Sequence, residues 1–295
     1  MNTVGLLARP DLAGAAPVLR ELALWLRSRG VALVLEERTA ALAGDATLPD
    51  VAVASGEEVA ARADALVVLG GDGTLLAAAQ LLGRRSVPVV GVNFGSLGFL
   101  TEITLAELYP ALEGVLSGVY RYEERRMLRA EVLRDGATLA GGDALNDVVV
   151  TKASVVSRII ELDVRVDDVF VSLFRADGLI VCSPTGSTAY NLAAGGPILH
   201  PALSALVLTP ICPHMLTNRP LVVADDSRVV VRLHTPDVEA HVTLDGQRAV
   251  PLASGDQVAV TRSPRTLRLV KSPGRDYFEV LRTKLKWGET RSSRG

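Results

Sequence analysis

Ala65-Leu66-Val67-Val68-Leu69-Gly70-Gly71-Asp72-Gly73-Thr74-Leu75-Leu76 is the stretch of the chain from which we predict the fold. Its first five residues are all apolar, a pattern typical of a strand that is buried on both faces in a parallel sheet. The glycines that follow predict a tight turn, because they adopt backbone angles that other residues avoid. Asp72 is therefore expected at the carboxyl end of a central strand, where open α/β sheets bind their ligands.

The turn that contains Asp72 allows two interpretations. Glycine and aspartate are common turn formers, so the turn could serve only to connect a strand and a helix. It could also hold an anion, because the helix that Thr74 opens has free amides and the positive end of its dipole at this point. In that case Gly70, Gly71 and Thr74 are the candidate phosphate-binding residues beside the Asp72 carboxylate.

A resemblance to known proteins favours the second interpretation. The run Gly70-Gly71-Asp72-Gly73-Thr74 resembles the signature of a superfamily that contains NAD kinases, diacylglycerol-type lipid kinases and 6-phosphofructokinases. All of these proteins are phosphoryl transferases. The turn alone does not choose among them, so the rest of the chain has to decide.

Length and composition indicate a folded protein of two domains. At 295 residues the chain is longer than most single domains, whose sizes peak at about 100–150 residues. Hydrophobic residues make up 48% of the chain and charged residues 22%, which provides enough apolar material for a core. The net charge of -2 gives no overall basic field, so we expect no nucleic-acid partner.

The cysteines and the hydropathy pattern predict a cytoplasmic protein. Two cysteines, Cys182 and Cys212, are too few for a disulfide scaffold, and the start of the chain does not resemble a signal peptide. No uncharged apolar run reaches the roughly 18–20 residues of a membrane span, so we expect no membrane partner. Cys212-Pro213-His214 lacks a second pair of ligands, so we predict no metal site built from the chain.

The N-terminal third has the pattern of a βαβ unit. Three runs read in turn as strand, helix and strand: Thr3 to Ala8, Ala13 to Arg29 and Val31 to Leu35. Glu36 and Glu37 follow, and we interpret them as solvated charges because no G-x-G-x-x-G precedes them. Thr104 to Leu116 is predicted as a helix with a capping box, which closes a Rossmann-like α/β domain of residues 1–118.

The period of the apolar residues changes to two after Arg126. Ile160, Leu162, Val164 and Val166 alternate with charged residues, as half-buried strands do. Asp135-Gly136 predicts a hairpin turn. The predicted fold class is therefore α/β plus β, with a C-terminal antiparallel β-sandwich domain over residues 119–272. Residues 273–295 return to a helical pattern, and we expect this helix to pack back on the first domain.

Two stretches of the β domain carry polar residues at the expected ends of strands. Asn146-Asp147 precedes the run Val148-Val149-Val150, and by itself it is more typical of a turn at the start of a strand. Ser183 to Pro197 combines small hydroxyl side chains and glycines with a short helix. It could be a plain connecting loop, or a polar site that holds a nucleotide with backbone amides and hydroxyl groups.

These stretches carry a close resemblance that spans roughly residues 66 to 247. The pattern D-G-x-x-x-x-(S/T)-P-T-G-S-T-A-Y-x-x-(S/A)-x-G-G-P begins at Asp177, L-T-P-I-C-P-H begins at Leu208, and G-V-N-x-G-x-L-G-F-L begins at Gly91. Together with G-G-D-G-T these motifs are characteristic of NAD kinases, and the chain is identified as similar to that family. Met215 departs from the family, which usually has a small hydroxyl residue there.

The resemblance implies roles for individual residues. Asp72 matches the family's catalytic base and Gly73 its neighbour at the substrate, whereas Asn146 and Asp147 match the pair that binds nucleotide hydroxyls. The other positions that match dinucleotide-binding residues of the family are Arg158, Arg175, Asp177, Thr188, Ala189, Tyr190, Asn191, Leu192, Ala193 and Gln247.

The activity that the resemblance implies is transfer of a phosphoryl group from ATP to the 2′-hydroxyl of the adenosine ribose of NAD, which gives NADP. A divalent metal, Mg²⁺, is the implied cofactor, and the implied assembly is a homodimer or homotetramer. Such a reaction depends mainly on positioning and charge neutralisation. Two alternatives stay open: a lipid kinase, which the stretches at Thr188 and Leu208 disfavour, and a non-catalytic dinucleotide sensor, which would need no carboxylate at Asp72.

Overall fold

The computed structural model describes residues 1–44, 48, 51–154, 158–236 and 238–288. Within these residues the chain forms two compact units. The first unit consists of Met1–Glu124 and the chain from Leu267 onward, and the second consists of Arg125–Thr266. The predicted tail after residue 288 lies outside the described residues.

The first unit has a sheet flanked by helices. Its strands are β1 (Thr3–Ala8), β2 (Ala32–Glu36), β3 (Val51–Ala54), β4 (Ala65–Leu69), β5 (Pro88–Asn93) and β6 (Ile103–Thr104). Its helices are α1 (Ala15–Arg27), α2 (Glu37–Ala41), α3 (Gly56–Arg62), α4 (Asp72–Leu81), a 3₁₀ turn at Leu105–Glu107, α5 (Leu108–Ser117) and the C-terminal helix (Tyr277–Leu285).

Strand β4 lies inside this sheet. The strand order is β3-β2-β1-β4-β5 with parallel neighbours, and every residue of β4 is buried. The prediction of a buried parallel strand before the glycine turn is therefore confirmed. Helix α4 begins at Asp72 and not at the predicted Thr74, so the Asp72 carboxylate lies in the first turn of the helix.

The predicted βαβ unit is also present. Strands β1 and β2 pair in parallel, and α1 between them buries Leu19, Leu22 and Leu26 in the core of the first unit. Each fully buried leucine stabilises the fold by about 1.5–3 kcal/mol relative to an exposed one. The helix predicted from Thr104 is confirmed as a 3₁₀ turn followed by α5, with the expected capping box between Thr104 and Glu107.

Glu36 corrects the prediction of two solvated charges. Its side chain accepts hydrogen bonds from the backbone amide of Thr39, at 3.2 Å, and from the Thr39 hydroxyl, at 3.1 Å, and so caps helix α2. Glu37 is exposed, as predicted. The apolar pattern does not predict α2, β3 or α3, because these elements are only five, four and seven residues long.

The second unit is built from antiparallel strands and short helical turns. Its strands are β7 (Tyr122–Arg134), β8 (Ala137–Ala144), β9 (Asp147–Lys152), β10 (Ile160–Val166), β11 (Val169–Ala176), β12 (Gly178–Cys182), β13 (Ala205–Ile211), β14 (Leu221–Ala224), β15 (Val229–Leu233), β16 (Ala240–Leu244), β17 (Arg248–Leu252) and β18 (Gln257–Val270). The helical turns are a 3₁₀ turn at Thr185–Thr188 and α6 (Tyr190–Ala193). The start of β7 and the end of β18 belong to the first unit.

Two layers of strands enclose the core of the second unit. One sheet has the order β14-β13-β12-β9-β16-β17, and strands β11, β10, β15 and β18 pair in the other layer. Buried side chains from both layers share one apolar cluster that includes Val148, Leu162 and Val258. The predicted β-sandwich is confirmed, and so is the hairpin at Asp135-Gly136, whose φ angles of 50° and 81° suit that turn.

The C-terminal helix belongs to the first unit, as expected. The Asp276 carboxylate accepts a hydrogen bond from the amide of Glu279 and caps the start of the helix, which buries Val280 and Leu281. None of the helices in the described part of the chain combines the length and the apolar character needed to cross a membrane.

Candidate active site

The Asp72 carboxylate is held by the backbone of a neighbouring loop. Residues 98–101, which we call the amide loop, come between β5 and β6. Oδ2 of Asp72 accepts the amide of Phe99 at 2.9 Å, while Oδ1 accepts the amides of Leu100 and Thr101, at 3.0 and 3.1 Å, and the Thr101 hydroxyl at 3.1 Å. Each carboxylate oxygen has about two lone pairs. Since Oδ2 accepts one bond within the described part of the chain, it keeps capacity for a proton donor on a ligand.

Glycine is required where the amide loop passes the carboxylate. A Cβ atom built on Gly98 would lie 2.1 Å from Oδ1 of Asp72 and 2.3 Å from the Thr101 hydroxyl, which is far below a van der Waals contact. Gly71 and Gly73 are different, because a Cβ on either would meet no atom within 4 Å. Their missing side chains leave the backbone of the turn open to a ligand.

A cavity of about 710 Å³ lies beside this turn in the first unit. It is lined by Gly71, Gly73 and Thr74 and by the carboxyl ends of β1 and β2. The charged residues at its wall are Arg9, Glu36, Glu37, Arg38 and Glu57. Its position at the carboxyl edge of a parallel sheet is the usual place for a ligand in such folds.

The second unit contains a compact polar site at the start of β9. The Asp245 carboxylate accepts the backbone amides of Leu145, Asn146 and Asp147, at 2.8, 2.7 and 3.2 Å. Asn146 and Asp147 are both buried, and Oδ1 of Asn146 is buried without a hydrogen-bond partner among the described residues. A buried polar atom without a partner is costly, so this oxygen marks a place where a ligand donor fits.

The environment of the Asp147 carboxyl group raises its pKa. Burial raises the pKa of its carboxyl group to about 7, and the negative charge of Asp245 adds to the shift. The same group is therefore partly protonated at physiological pH, when it can donate as well as accept a hydrogen bond.

The predicted hydroxyl-rich turn packs directly on Asn146. The Ser183 hydroxyl donates a hydrogen bond to the Leu145 carbonyl at 2.6 Å, and the Ser183 amide donates to the Asn146 carbonyl at 2.9 Å. A Cβ on Gly186 would lie 2.1 Å from the Asn146 carbonyl oxygen, so only glycine permits this approach. The structure thus brings together two motifs that are about 37 residues apart in the chain.

Asn191 lies behind this turn and is fully buried. Its amide nitrogen donates to the carbonyls of Ser187 and Pro197, both at 3.0 Å, and its oxygen accepts the Thr209 hydroxyl at 2.6 Å. The polar atoms of this side chain are committed to the protein, so its geometry suits positioning of the turn and not contact with a ligand.

Tyr190 is one of the exposed residues of the predicted pocket around this turn, with 47% of its surface accessible. Burial raises the pKa of its hydroxyl, and the nearby Asp147 and Asp177 side chains add to this effect. The neighbouring residues of the predicted pocket differ in burial: Thr188, Ala189 and Leu192 are half-buried, and Ala193 is exposed.

The remaining predicted residues lie in other parts of the second unit. Asp177 forms an ion pair with Lys152, with Oδ1 and Nζ 2.8 Å apart. Arg175 is bound to Glu161 through two nitrogens, at 2.8 and 2.7 Å. Arg158 is exposed, and Gln247 is exposed in the turn between β16 and β17 that Asp245 begins.

Two important groups were harder to find from the sequence. Asp245 is nearly 100 residues from the amides that it binds, and its only local signal is the Asp245-Gly246 turn. The role of the amide loop is likewise a contact between residues 27 to 29 positions apart. Among the described residues, no group of three or more histidines, cysteines, aspartates and glutamates is placed to hold a metal ion.

Comparisons with known proteins give a consistent result. The family model described as the ATP-NAD kinase N-terminal domain matches residues 4–120, and the model of the ATP-NAD kinase C-terminal domain matches residues 145–272. A curated NAD kinase from Citrifermentans bemidjiense is 50% identical over 98% of this chain and all of its own length. One from Solibacter usitatus is 46% identical over 98% of this chain and 99% of its own length.

Solved structures agree with these sequence matches. An NAD kinase from Archaeoglobus fulgidus in complex with ATP aligns with a TM-score of 0.73 and 26% identity, over 96% of this chain and 99% of its own. The yeast NADH kinase complexed with NADH aligns with a TM-score of 0.90 and 24% identity, over 100% of this chain and 90% of its own, which shows a shared fold.

Proposed function

The chain belongs to the NAD kinase family and phosphorylates NAD with ATP to give NADP, and from this premise we propose that Asp72 is the general base of the reaction. The group to be phosphorylated is the 2′-hydroxyl of the adenosine ribose. Asp72 orients this hydroxyl and accepts its proton as the bond to phosphorus forms.

The observation that carries this proposal is the amide loop around Asp72. Four donors fix the orientation of the carboxylate, three of them on Oδ1, and Oδ2 keeps a lone pair for the substrate hydroxyl. Because the transition state of phosphoryl transfer is loose, orientation of the nucleophile matters more than the strength of the base. A carboxylate fixed by backbone amides is well suited to this task.

We propose that the polar site of the second unit binds the adenosine part of NAD. Its unpartnered Asn146 oxygen and the Asp147 carboxyl group are suited to ribose hydroxyls, and the exposed ring of Tyr190 is suited to a base. Thr188, Ala189, Leu192 and Ala193 are proposed to supply backbone around this site, and Arg158, Arg175, Asp177 and Gln247 complete the proposed set in the second unit. Gly73 of the first unit is proposed to contact the substrate beside Asp72. Asn191 is proposed to act by positioning the turn.

The cavity beside the glycine turn is proposed to hold the triphosphate of ATP, with Gly70, Gly71 and Thr74 next to the phosphates. The chain lacks the lysine-containing G-x-x-x-x-G-K-[ST] loop, so backbone amides replace it. The three glutamates at the cavity wall outnumber its two arginines, Arg9 and Arg38, so the wall does not by itself neutralise a triphosphate. We therefore propose that Mg²⁺ enters with the triphosphate and neutralises its charge.

We further propose a homodimer or homotetramer located in the cytoplasm. Strands β11 and β14 are the ends of their layers in the second unit, and both expose apolar side chains, among them Val169, Phe170 and Val222. Exposed edges of this kind favour pairing with another chain. Both cysteines, Cys182 and Cys212, are free thiols, which fits a reducing compartment.

An assay of product formation tests the proposed reaction. The protein is incubated with NAD, ATP and Mg²⁺, and NADP is measured with an NADP-specific dehydrogenase. We expect NADP to accumulate, and we expect an NAD analogue that lacks the adenosine 2′-hydroxyl to bind without being phosphorylated, whereas the matched 3′-deoxy analogue is converted. Tight binding of NAD without any product would instead identify a dinucleotide sensor.

A further inference from the structure

The residue that follows the amide loop, Glu102, is a buried acid in the first unit. Only 2% of its surface is accessible. Oε2 accepts a hydrogen bond from Nζ of Lys271 at 2.7 Å, and Oε1 accepts the amide of Ser272 at 2.8 Å. Both partners come from the segment between β18 and the C-terminal helix. Glu102 therefore joins the loop that holds Asp72 to a part of the chain that is about 170 residues away.

The same segment makes a second set of contacts just after Glu102. Arg275 donates to the Glu102 carbonyl and, at 2.9 Å, to Oε2 of Glu107, and the Ser272 hydroxyl donates to Oε1 of Glu107 at 3.0 Å. Glu107 in turn accepts the amide and hydroxyl of Thr104, both at 2.8 Å. Burial acts to raise the pKa of Glu107, but these hydrogen bonds outweigh it and lower the pKa to about 2.

A third contact reaches the amide loop itself. Nζ of Lys284, on the C-terminal helix, lies 5.8 Å from the centre of the Phe99 ring. The amide of Phe99 is the donor to Oδ2 of Asp72. The C-terminal part of the chain thus contacts Phe99 within the amide loop and Glu102 directly after it.

We propose that Glu102 is a positioning residue for phosphoryl transfer, which fixes the amide loop, and through it the Asp72 carboxylate, by its buried ion pair with Lys271. This role rests on the proposed function of Asp72. A buried ion pair is rarely the most stabilising choice at its position, because desolvation of the two charges offsets their attraction. The hydrogen bonds of the Glu102 carboxylate are directional, however, and they fix the backbone at Glu102 and at the adjacent Thr101 in one conformation.

Steady-state kinetics of Glu102→Gln test the proposal, with Glu123→Gln as the matched control. Glu123 also pairs with Lys271, at 3.3 Å, but it lies in β7 and not next to the amide loop in the chain. We expect Glu102→Gln to lower kcat by about 10-fold to 100-fold, as displaced reacting groups do, with KM for NAD within about twofold of wild type. Glu123→Gln should keep kcat near wild type. Equal losses of kcat in both variants would overturn the proposal.

Combination with Asp72→Asn separates positioning from general loss of structure. If Glu102 acts through Asp72, adding Glu102→Gln to Asp72→Asn should lower the residual kcat by less than about twofold, because coupled residues are not additive. Full additivity of the two losses would overturn the proposal. If Asp72→Asn alone keeps wild-type turnover, the proposed function fails and this inference with it. If Asp72→Asn is inactive while Glu102→Gln is fully active, only the positioning role fails.

Lys271 provides a second pair of variants that does not alter Glu102. Lys271→Met removes the ion pair from the other side, and we expect the same fall in kcat at unchanged KM. Lys271→Arg keeps the charge, and we expect it to restore most of the turnover. Wild-type turnover in a folded Lys271→Met protein would contradict the proposal.

Discussion

The Asp147 carboxyl group shows how a single residue of the site is set by its surroundings. It is buried beside the Asp245 carboxylate, and burial is the larger cause of the rise of its pKa to about 7. An unfolded chain has no such environment, so the group releases its proton near pH 4 when unfolded. Between these two pH values the native state binds a proton that the unfolded state does not.

The free energy of unfolding should therefore fall as the pH rises through this interval, because the native state binds more protons than the unfolded state there. Asp147→Asn resembles the protonated group and escapes this penalty. We expect the free energy of unfolding of the variant, relative to wild type, to increase by about 2 kcal/mol between pH 5.5 and pH 8. Urea unfolding at the two pH values measures the difference, and a difference that is independent of pH would show that Asp147 is not protonated in the native state.

At the level of secondary-structure elements, the glycine turn and the amide loop together position Asp72. Strand β4 delivers Asp72 to the carboxyl edge of the sheet, and the amide loop between β5 and β6 holds its carboxylate. Neither element does this alone, since β4 and β5 have to be neighbours for the loop to reach the first turn of α4.

Gly98→Ala tests this arrangement directly. The new Cβ would lie 2.1 Å from Oδ1 of Asp72, so the loop or the carboxylate has to move. We expect a fall in kcat of about tenfold or more and a stability loss of about 1–3 kcal/mol. Gly95→Ala is the control, because a Cβ at Gly95 meets no atom within 4 Å. Equal turnover of the two variants would indicate that the amide loop does not position Asp72.

The elements also show what the sequence could and could not predict. Five apolar residues in a row identify β4, and strict alternation identifies β10, because both patterns report burial directly. The contacts of Asp72 with residues 99–101 and of Asp245 with residues 145–147 are not visible in this way. They depend on which strands become neighbours, which local patterns do not encode. The capping role of Glu36 is not visible in the sequence for a related reason, since it depends on a helix of only five residues.

At the scale of the whole molecule, the exposed apolar residues on β11 and β14 favour the proposed contact with another copy of the chain. Val169 and Phe170 are 69% and 53% exposed, and large apolar side chains at strand edges are a risk for solubility unless they are covered. We expect light scattering at micromolar concentration to give two or four times the mass of one chain, 31.2 kDa. Symmetric interfaces bury well over about 1,000 Å² and persist under these conditions. A single species of one chain would rule out the proposed assembly.

The two units each supply one part of the proposed reaction. The first unit contains the carboxylate, the glycine turn and the cavity, while the second contains the polar site at the start of β9. Loss of chemistry and loss of dinucleotide binding should therefore be separable by mutation.

Asp72→Asn tests the role of Asp72 as the general base most directly, because it keeps the size of the side chain, removes its charge and replaces one of its two acceptor oxygens by an amide nitrogen. Turnover and the Kd for NAD are measured on the same preparation. We predict that kcat falls by about 10²- to 10⁴-fold, the usual effect of removing a positioned proton acceptor, while the Kd for NAD does not rise. This pattern would locate the loss in the transition state. Turnover within about threefold of wild type would contradict the assignment of Asp72 as the general base.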